Sequence, residues 1–171
     1  SQQKPFAFVF PPFAAAITFD MDAYSLIHAA DPEGWKSPYA ISMGQYGPTV
    51  GVPRILETYR RLELKQTFFI PGWCVKTYPG AVEAILEGGH EIGCHGWIHE
   101  NPAARTLAEQ AEDLDRSLDA MAAFSGYRPR GYRAPVYLLT NDTPTLIADH
   151  GFAYDSSMMA DDEPYALDLG G

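Results

Sequence analysis

Gly89-His90-Glu91-Ile92-Gly93-Cys94-His95-Gly96-Trp97-Ile98-His99-Glu100 is the stretch from which the fold can be read. It begins at a glycine pair, runs through a short apolar segment and ends in histidines. Residues 90–93 read as a buried strand following a helix that stops at Gly88-Gly89. His95 and His99 stand four apart just beyond it. On a helical turn that spacing is a rise of about 6 Å and points both imidazoles the same way. Two imidazoles at the end of a strand are half of a metal site. The rest of the chain is asked for a third ligand, a base and a pocket.

Working outward, the same strand-then-helix unit recurs. Ala14–Phe19 is an apolar run that ends at Asp20-Met21-Asp22. Val52, Ile55, Leu56, Tyr59 and Leu62 follow helical spacing behind Pro53, which suits a first turn. Residues 66–70 form a β-branched and aromatic strand closed by Pro71-Gly72. Tyr78–Leu86 is a short helix. Thr106 with Glu109 is a capping-box signature opening a long helix that ends before Gly126. Arg130–Arg133 is a short strand, residues 141–150 a helix stopped by Gly151, and Phe152–Tyr154 a fifth strand. Ala23–Gly47 shows no period and is expected to be a long functional loop. Residues 1–13, rich in Pro and Phe, are expected to lie over the body of the fold, and the tail to be acidic and irregular.

Five strand–helix units predict parallel strands joined by helical crossovers, either a barrel or an open sheet. In both, chemistry gathers at the C-terminal ends of the strands. Asp20 and Asp22, His95 and His99, Arg133, and Asp155 all fall there.

The 171 residues suffice for one domain with a full core, and residues 1–171 are expected to form a single catalytic domain. A net charge of −10 argues against nucleic acid and against an anionic membrane surface, both of which need clustered cations. No apolar run is long enough to span a bilayer, and nothing reads as a secretory signal, so the expectation is cytoplasmic. Two cysteines, Cys74 and Cys94, make no disulfide framework and read as buried thiols.

Two histidines and one carboxylate are a standard set for a catalytic zinc-type ion. His95 and His99 give the nitrogens, and Asp20 or Asp22 the oxygen. On extended backbone the two acids point the same way, so one can bind metal while the other acts as general base toward water that the metal helps to ionise. The set suits hydrolysis of an amide or ester. A His-x-x-x-His pair or an Asp-x-Asp alone carries little; their joint placement at strand ends carries more. Arg133 reads as the fork that fixes an acid. Trp73, Trp97, Pro135 and Tyr137, with Tyr132, lie near strand ends and are expected to line a substrate pocket. His90 reads as structural, His28 as incidental, and His150 as a helix-closing residue.

Thr18-Phe19-Asp20-Met21-Asp22, His95-Gly96-Trp97-Ile98-His99 and Arg133-Ala134-Pro135 occur in the order of three motifs of the polysaccharide deacetylase (NodB-homology) family, which the chain resembles. Thr67-Phe68-Phe69 and Gly89-His90-Glu91-Ile92 match strand positions between them. The resemblance implies a distorted (β/α) barrel with fewer than eight strands, of which about five βα units lie in this chain. It implies Asp20 as general base, Asp22, His95 and His99 as ligands of a divalent metal, foremost zinc, and Arg133 as the holder of Asp20. It implies a hydrolase of non-peptide carbon–nitrogen bonds acting on an N-acetylated glycan or a similar amide. Met21 between the acids, Tyr154-Asp155-Ser156-Ser157 and Tyr46-Gly47-Pro48 are similar to the branch containing peptidoglycan deacetylase-like proteins, cyclic imidases and allantoinase-like enzymes. Ring opening of a cyclic imide or allantoin is therefore the alternative reaction, and a non-catalytic binding or assembly subunit the alternative class. The late histidine that the family offers as general acid has no counterpart after His150. The expectation is thus the N-terminal part of a longer barrel, completed by a second copy or a complementary second chain.

Overall fold

The computed structural model describes residues 15–33 and 36–160. The expectations for residues 1–13, Ala14 and the tail from 161 onward lie outside the described residues.

Among the described residues, five parallel strands form one sheet in the order β1 (Thr18–Asp20), β2 (Thr67–Ile70), β3 (Glu91–Cys94), β4 (Gly131–Tyr132) and β5 (Tyr154–Asp155). Sequential order decides between the two architectures left open above. Each crossover steps one strand in the same direction, so crossovers of the usual right hand put every helix on one face. A doubly wound sheet reverses its order partway and covers both faces. This sheet is a sector of a barrel, with one face turned outward to helices and one turned inward.

The side-chain alternation agrees. Phe68, Ile70, Ile92, Cys94 and Tyr132 belong to the hydrophobic core under the helices, with Val75, Val82, Ile85, Leu114 and Met121. The intervening residues face inward, where two glycines make room for rings. A Cβ on Gly93 would lie 2.5 Å from the Phe69 ring, and one on Gly131 only 2.2 Å from Tyr154. Both free thiols, Cys74 and Cys94, are buried. Among the described residues no helix is long and apolar enough to cross a membrane.

The helices α3 (Val52–Leu62), α5 (Pro79–Glu87), α6 (Leu107–Ser125) and α7 (Thr143–Asp149) fall where the sequence places them. The α6 capping box is formed on both sides: Thr106 Oγ1 accepts the Glu109 amide at 3.3 Å, and Glu109 Oε2 accepts the Thr106 amide at 2.8 Å. Gly126 ends the helix in the left-handed conformation, φ 70°. His150 receives its expected end position, with Nδ1 2.7 Å from the Leu146 carbonyl. His90 is structural as read: its Nδ1 accepts the Gln66 amide at 3.3 Å, and burial lowers its pKa.

Three expectations are corrected. Residues 23–47 hold helices α1 (Ser25–Ala30) and α2 (Pro38–Tyr46), and α2 passes through a π-helical turn, Gly47–Gly51, into α3. The period was hidden because α2 packs through small residues. Ala40 and Gly44 are its buried positions, Gly44 lying against Tyr24, while Tyr39, Met43 and Tyr46 stand exposed. Its start was signalled by Ser37, which caps the Ala40 amide, and by Pro38 at the first position. A further helix, α4 (Gly72–Thr77), follows β2 where only a turn was expected. The third correction concerns the histidines, whose segment is a tight turn and not a helix.

Candidate active site

The carboxylates come from the end of β1. Asp20 closes the strand, and the Met21 amide prolongs its pairing by donating to the Phe69 carbonyl at 2.9 Å. Met21 is 4 % exposed and turned into the core, so its two neighbours share the opposite side. Asp22 is fixed beyond the strand by its carbonyl, which accepts the Ser25 amide at 2.9 Å and the Cys74 thiol at 3.2 Å.

The nitrogens come from the turn after β3. Gly96 and His99 both take positive φ, 69° and 61°, and these two left-handed residues fold the segment back on itself. The imidazoles are brought together by that turn instead of by a helical face, with centroids 5.0 Å apart. His95 is 1 % exposed. Its Nδ1 lies 2.7 Å from the Arg133 carbonyl. A carbonyl only accepts, so Nδ1 carries the proton and Nε2 offers a lone pair. That Nε2 stands 3.6 Å from Asp22 Oδ1 and 3.9 Å from Asp20 Oδ2, and His99 Nε2 stands 3.5 Å from Asp22 Oδ2.

Arg133 follows β4 and reaches across the sheet. Its Nη1 donates to Asp20 Oδ1 at 2.6 Å, its Nη2 to Thr18 Oγ1 and Ser156 Oγ, both at 2.8 Å, and its Nε to the Ser156 carbonyl at 3.2 Å. The guanidinium rests on the Phe69 ring at 4.0 Å. Thr18 and Ser156 were not singled out as site residues from sequence, although both lie in quoted motifs. Asp155 acts one step further out. It accepts from the Ser157 hydroxyl and amide, and Ser157 Oγ in turn accepts the Ala134 amide at 2.8 Å, steadying the backbone beside Arg133.

One oxygen of Asp22 and one nitrogen each of His95 and His99 lie within 4.8 Å of one another. Asp22 Oδ1 and His95 Nε2 are buried with no hydrogen-bond partner among the described residues. Burial pushes the Asp22 carboxyl up to about 6, against the pull of His99, and the His95 imidazole down to about 4. Buried acceptors left unpaired are costly. A divalent cation would satisfy all three donors at once, so the residues fit a metal.

The aromatic expectations divide. Tyr137 reaches the acids, its hydroxyl donating to Asp20 Oδ2 at 3.4 Å. Pro135 is buried against Gly96. Between them Val136 has φ 52° and Tyr137 φ 58°, an unusual strain for a β-branched residue and its neighbour. Val136 borders a cleft of about 360 Å³ with Leu26, Ala29, Ala30 and His99. Trp73 packs edge-on against Tyr24, 4.9 Å away, beside His28. Trp97 is buried. Its ring is covered by Arg116 at 4.0 Å and Lys76 at 5.3 Å, toward α6. A second cleft, about 120 Å³, is bordered by Asp20, Asp22, Gly47 and Gly51. The π-helical turn thus faces the acids, a placement frequent at functional sites.

The model of the polysaccharide deacetylase family matches residues 39–154, which include His95, His99 and Arg133 and begin after Asp22. The peptidoglycan deacetylase of Helicobacter pylori is 38% identical over 138 residues, covering 80% of this chain and 47% of that protein. The chain therefore spans about half the length of this relative. A crystal structure of a Mycobacterium smegmatis protein assigned to the polysaccharide deacetylases is 38% identical with a TM-score of 0.86, over 91% of this chain and 54% of that one. An allantoinase crystal structure, 22% identical, shares the fold with a TM-score of 0.73 over 88% of this chain and 55% of that one.

Proposed function

This chain belongs to the polysaccharide deacetylase family, and from that premise we propose that it hydrolyses the acetyl amide of an N-acetylated sugar polymer, with peptidoglycan the first candidate. The observation that carries the reading is the convergence of Asp22, His95 and His99, with unpaired buried donor atoms, beside an Asp20 clamped by Arg133.

Asp22, His95 and His99 would hold a divalent ion, and two imidazoles with a carboxylate suit zinc. Bound there, such an ion supplies Lewis acidity toward a carbonyl oxygen and makes water more acidic. The chain's own groups do the rest. Arg133 occupies Asp20 Oδ1, which leaves Oδ2, on the side of His95 and Tyr137, to take a proton from the attacking water. The Arg133 carbonyl holds the His95 ring by Nδ1 and so aims Nε2 at Asp22. The strained turn at Val136 and Tyr137 puts an apolar side chain and a phenol at the rim, where a sugar ring with an apolar C–H face and several hydroxyls would rest.

The test is acetate release from N-acetylglucosamine oligomers and from peptidoglycan. Release that stops with chelator and returns with Zn²⁺ is the expected result. Activity surviving complete metal removal would end the metal reading. Turnover of cyclic imides without acetate release from glycans would favour the ring-opening alternative, and metal binding with turnover of neither would favour a non-catalytic relative.

A further inference from the structure

The turn that carries His95 and His99 is gripped from outside by groups with no place in the site itself. Its carbonyls at Gly96 and Trp97 accept the first amides of α4, Gly72 and Trp73, both at 2.9 Å. Its amide at Trp97 donates to Asp113 Oδ2 on α6, also at 2.9 Å. That oxygen sits close enough to the backbone that a Cβ on Gly96 would lie 3.0 Å from it. The Trp97 indole is approached by the cations of Arg116 on α6, at 4.0 Å, and Lys76 on α4, at 5.3 Å. Gly72 is required beneath it, since a Cβ there would come within 2.9 Å of the ring.

The grip has work to do. A left-handed residue other than glycine costs of order 1 kcal/mol or more and persists only where its surroundings over-determine it. His99 is such a residue, and it is one of the three donors. Asp113 is also an expensive choice for the position. It is half-buried, and desolvation raises its carboxyl to about 6, against the hydrogen bond from Trp97. A small cavity bounded by Glu100, Arg105 and Tyr132 also borders Asp113, so its carboxylate faces little solvent apart from the Trp97 amide.

We propose that Asp113 is a positioning residue for the metal ligands: through the Trp97 amide and indole, α6 fixes the backbone between His95 and His99 and with it the approach of both imidazoles to Asp22. The proposal rests on the metal reading above for its purpose, but not for its geometry.

The experiment compares Asp113→Ala with Asp113→Asn in the full chain, following amide hydrogen exchange without metal and Zn²⁺ affinity by competition with a chromogenic chelator. Asn keeps an oxygen acceptor for the Trp97 amide, and Ala does not. In the Ala variant, exchange at residues 96–99 should rise by about tenfold or more while the core strands stay protected. Its Zn²⁺ affinity should fall by about 10–100-fold. Asn should restore both. Unchanged exchange at 96–99 in a folded Ala variant overturns the proposal, as does a rise spread evenly over the whole chain. Should the Ala variant fail to fold, Arg116→Ala, which uncovers the indole and spares the carboxylate, should raise exchange at 96–99 in the same sense, and no rise there overturns the proposal. Loss of protection at 96–99 in a protein that binds no Zn²⁺ upholds the positioning role and removes the metal reading.

Discussion

Arg133 serves the site through two separable parts, its side chain and its carbonyl. The guanidinium spreads four hydrogen bonds over Asp20, Thr18 and Ser156, while the carbonyl alone orients His95. Lysine has three donors on a point charge and cannot reproduce the planar fork. Arg133→Lys should therefore leave buried acceptors unpaired and lower stability by about 1–3 kcal/mol in urea unfolding. Acetate release should drop more than about tenfold, because Asp20 loses its fixed orientation. Zinc affinity should stay close to that of the parent, because the backbone group that orients His95 is kept. Equal loss of zinc affinity and acetate release would mean that the side chain, and not the carbonyl, aligns the imidazole. At this scale the sequence was legible where chemistry repeats as a motif. Asp20, Asp22, His95, His99 and Arg133 could be picked out and do come together. Trp97 could not be placed, because an aromatic beside a strand end looks the same whether it faces a pocket or a helix. Its fate depends on Asp113 and Arg116, sixteen and nineteen residues away in sequence.

At the scale of elements, legibility followed the size of the buried side chains. α6 announces itself by Thr106, Glu109 and a large apolar period, and α3 by Pro53 and its apolar stripe. α2 shows no apolar period, and only its Ser37-Pro38 start marks it, because its inner face is Ala40 and Gly44 while its outer face carries Tyr39, Met43 and Tyr46. The histidine turn misled for another reason. A four-residue spacing fits a helix, but Gly96 permits a left-handed step and His99 is forced into one, facts that only tertiary contacts decide. The α6 cap offers a clean check on how far this helix supports the structure. Thr106→Ala removes one side of the capping box and should cost about 1 kcal/mol in urea unfolding. A loss near zero would show that Glu109 and solvent already satisfy the first turn.

For the molecule as a whole, strand order is what turns a scattered sequence into a site. Five parallel strands in sequential order bring the ends of β1, β3, β4 and β5 to one rim, so residues more than a hundred apart in the chain, such as Asp20 and Arg133, meet at 2.6 Å. The recurring strand–helix units made a parallel sheet readable. They left barrel and open sheet undivided, because pairing order is a property of the packed sheet and not of any segment. The inward glycines Gly93 and Gly131 record that packing: they matter only once Phe69 and Tyr154 lie across them. In the proposed reading this rim holds a divalent ion on Asp22, His95 and His99 beside a separate base. The direct test is a calorimetric titration of the metal-free chain with Zn²⁺, repeated on His95→Ala and Asp20→Asn. The account predicts one saturable site per chain, weakened by about 100-fold or more in His95→Ala and kept in Asp20→Asn. Absence of saturable binding, or binding that His95→Ala leaves untouched, would contradict it.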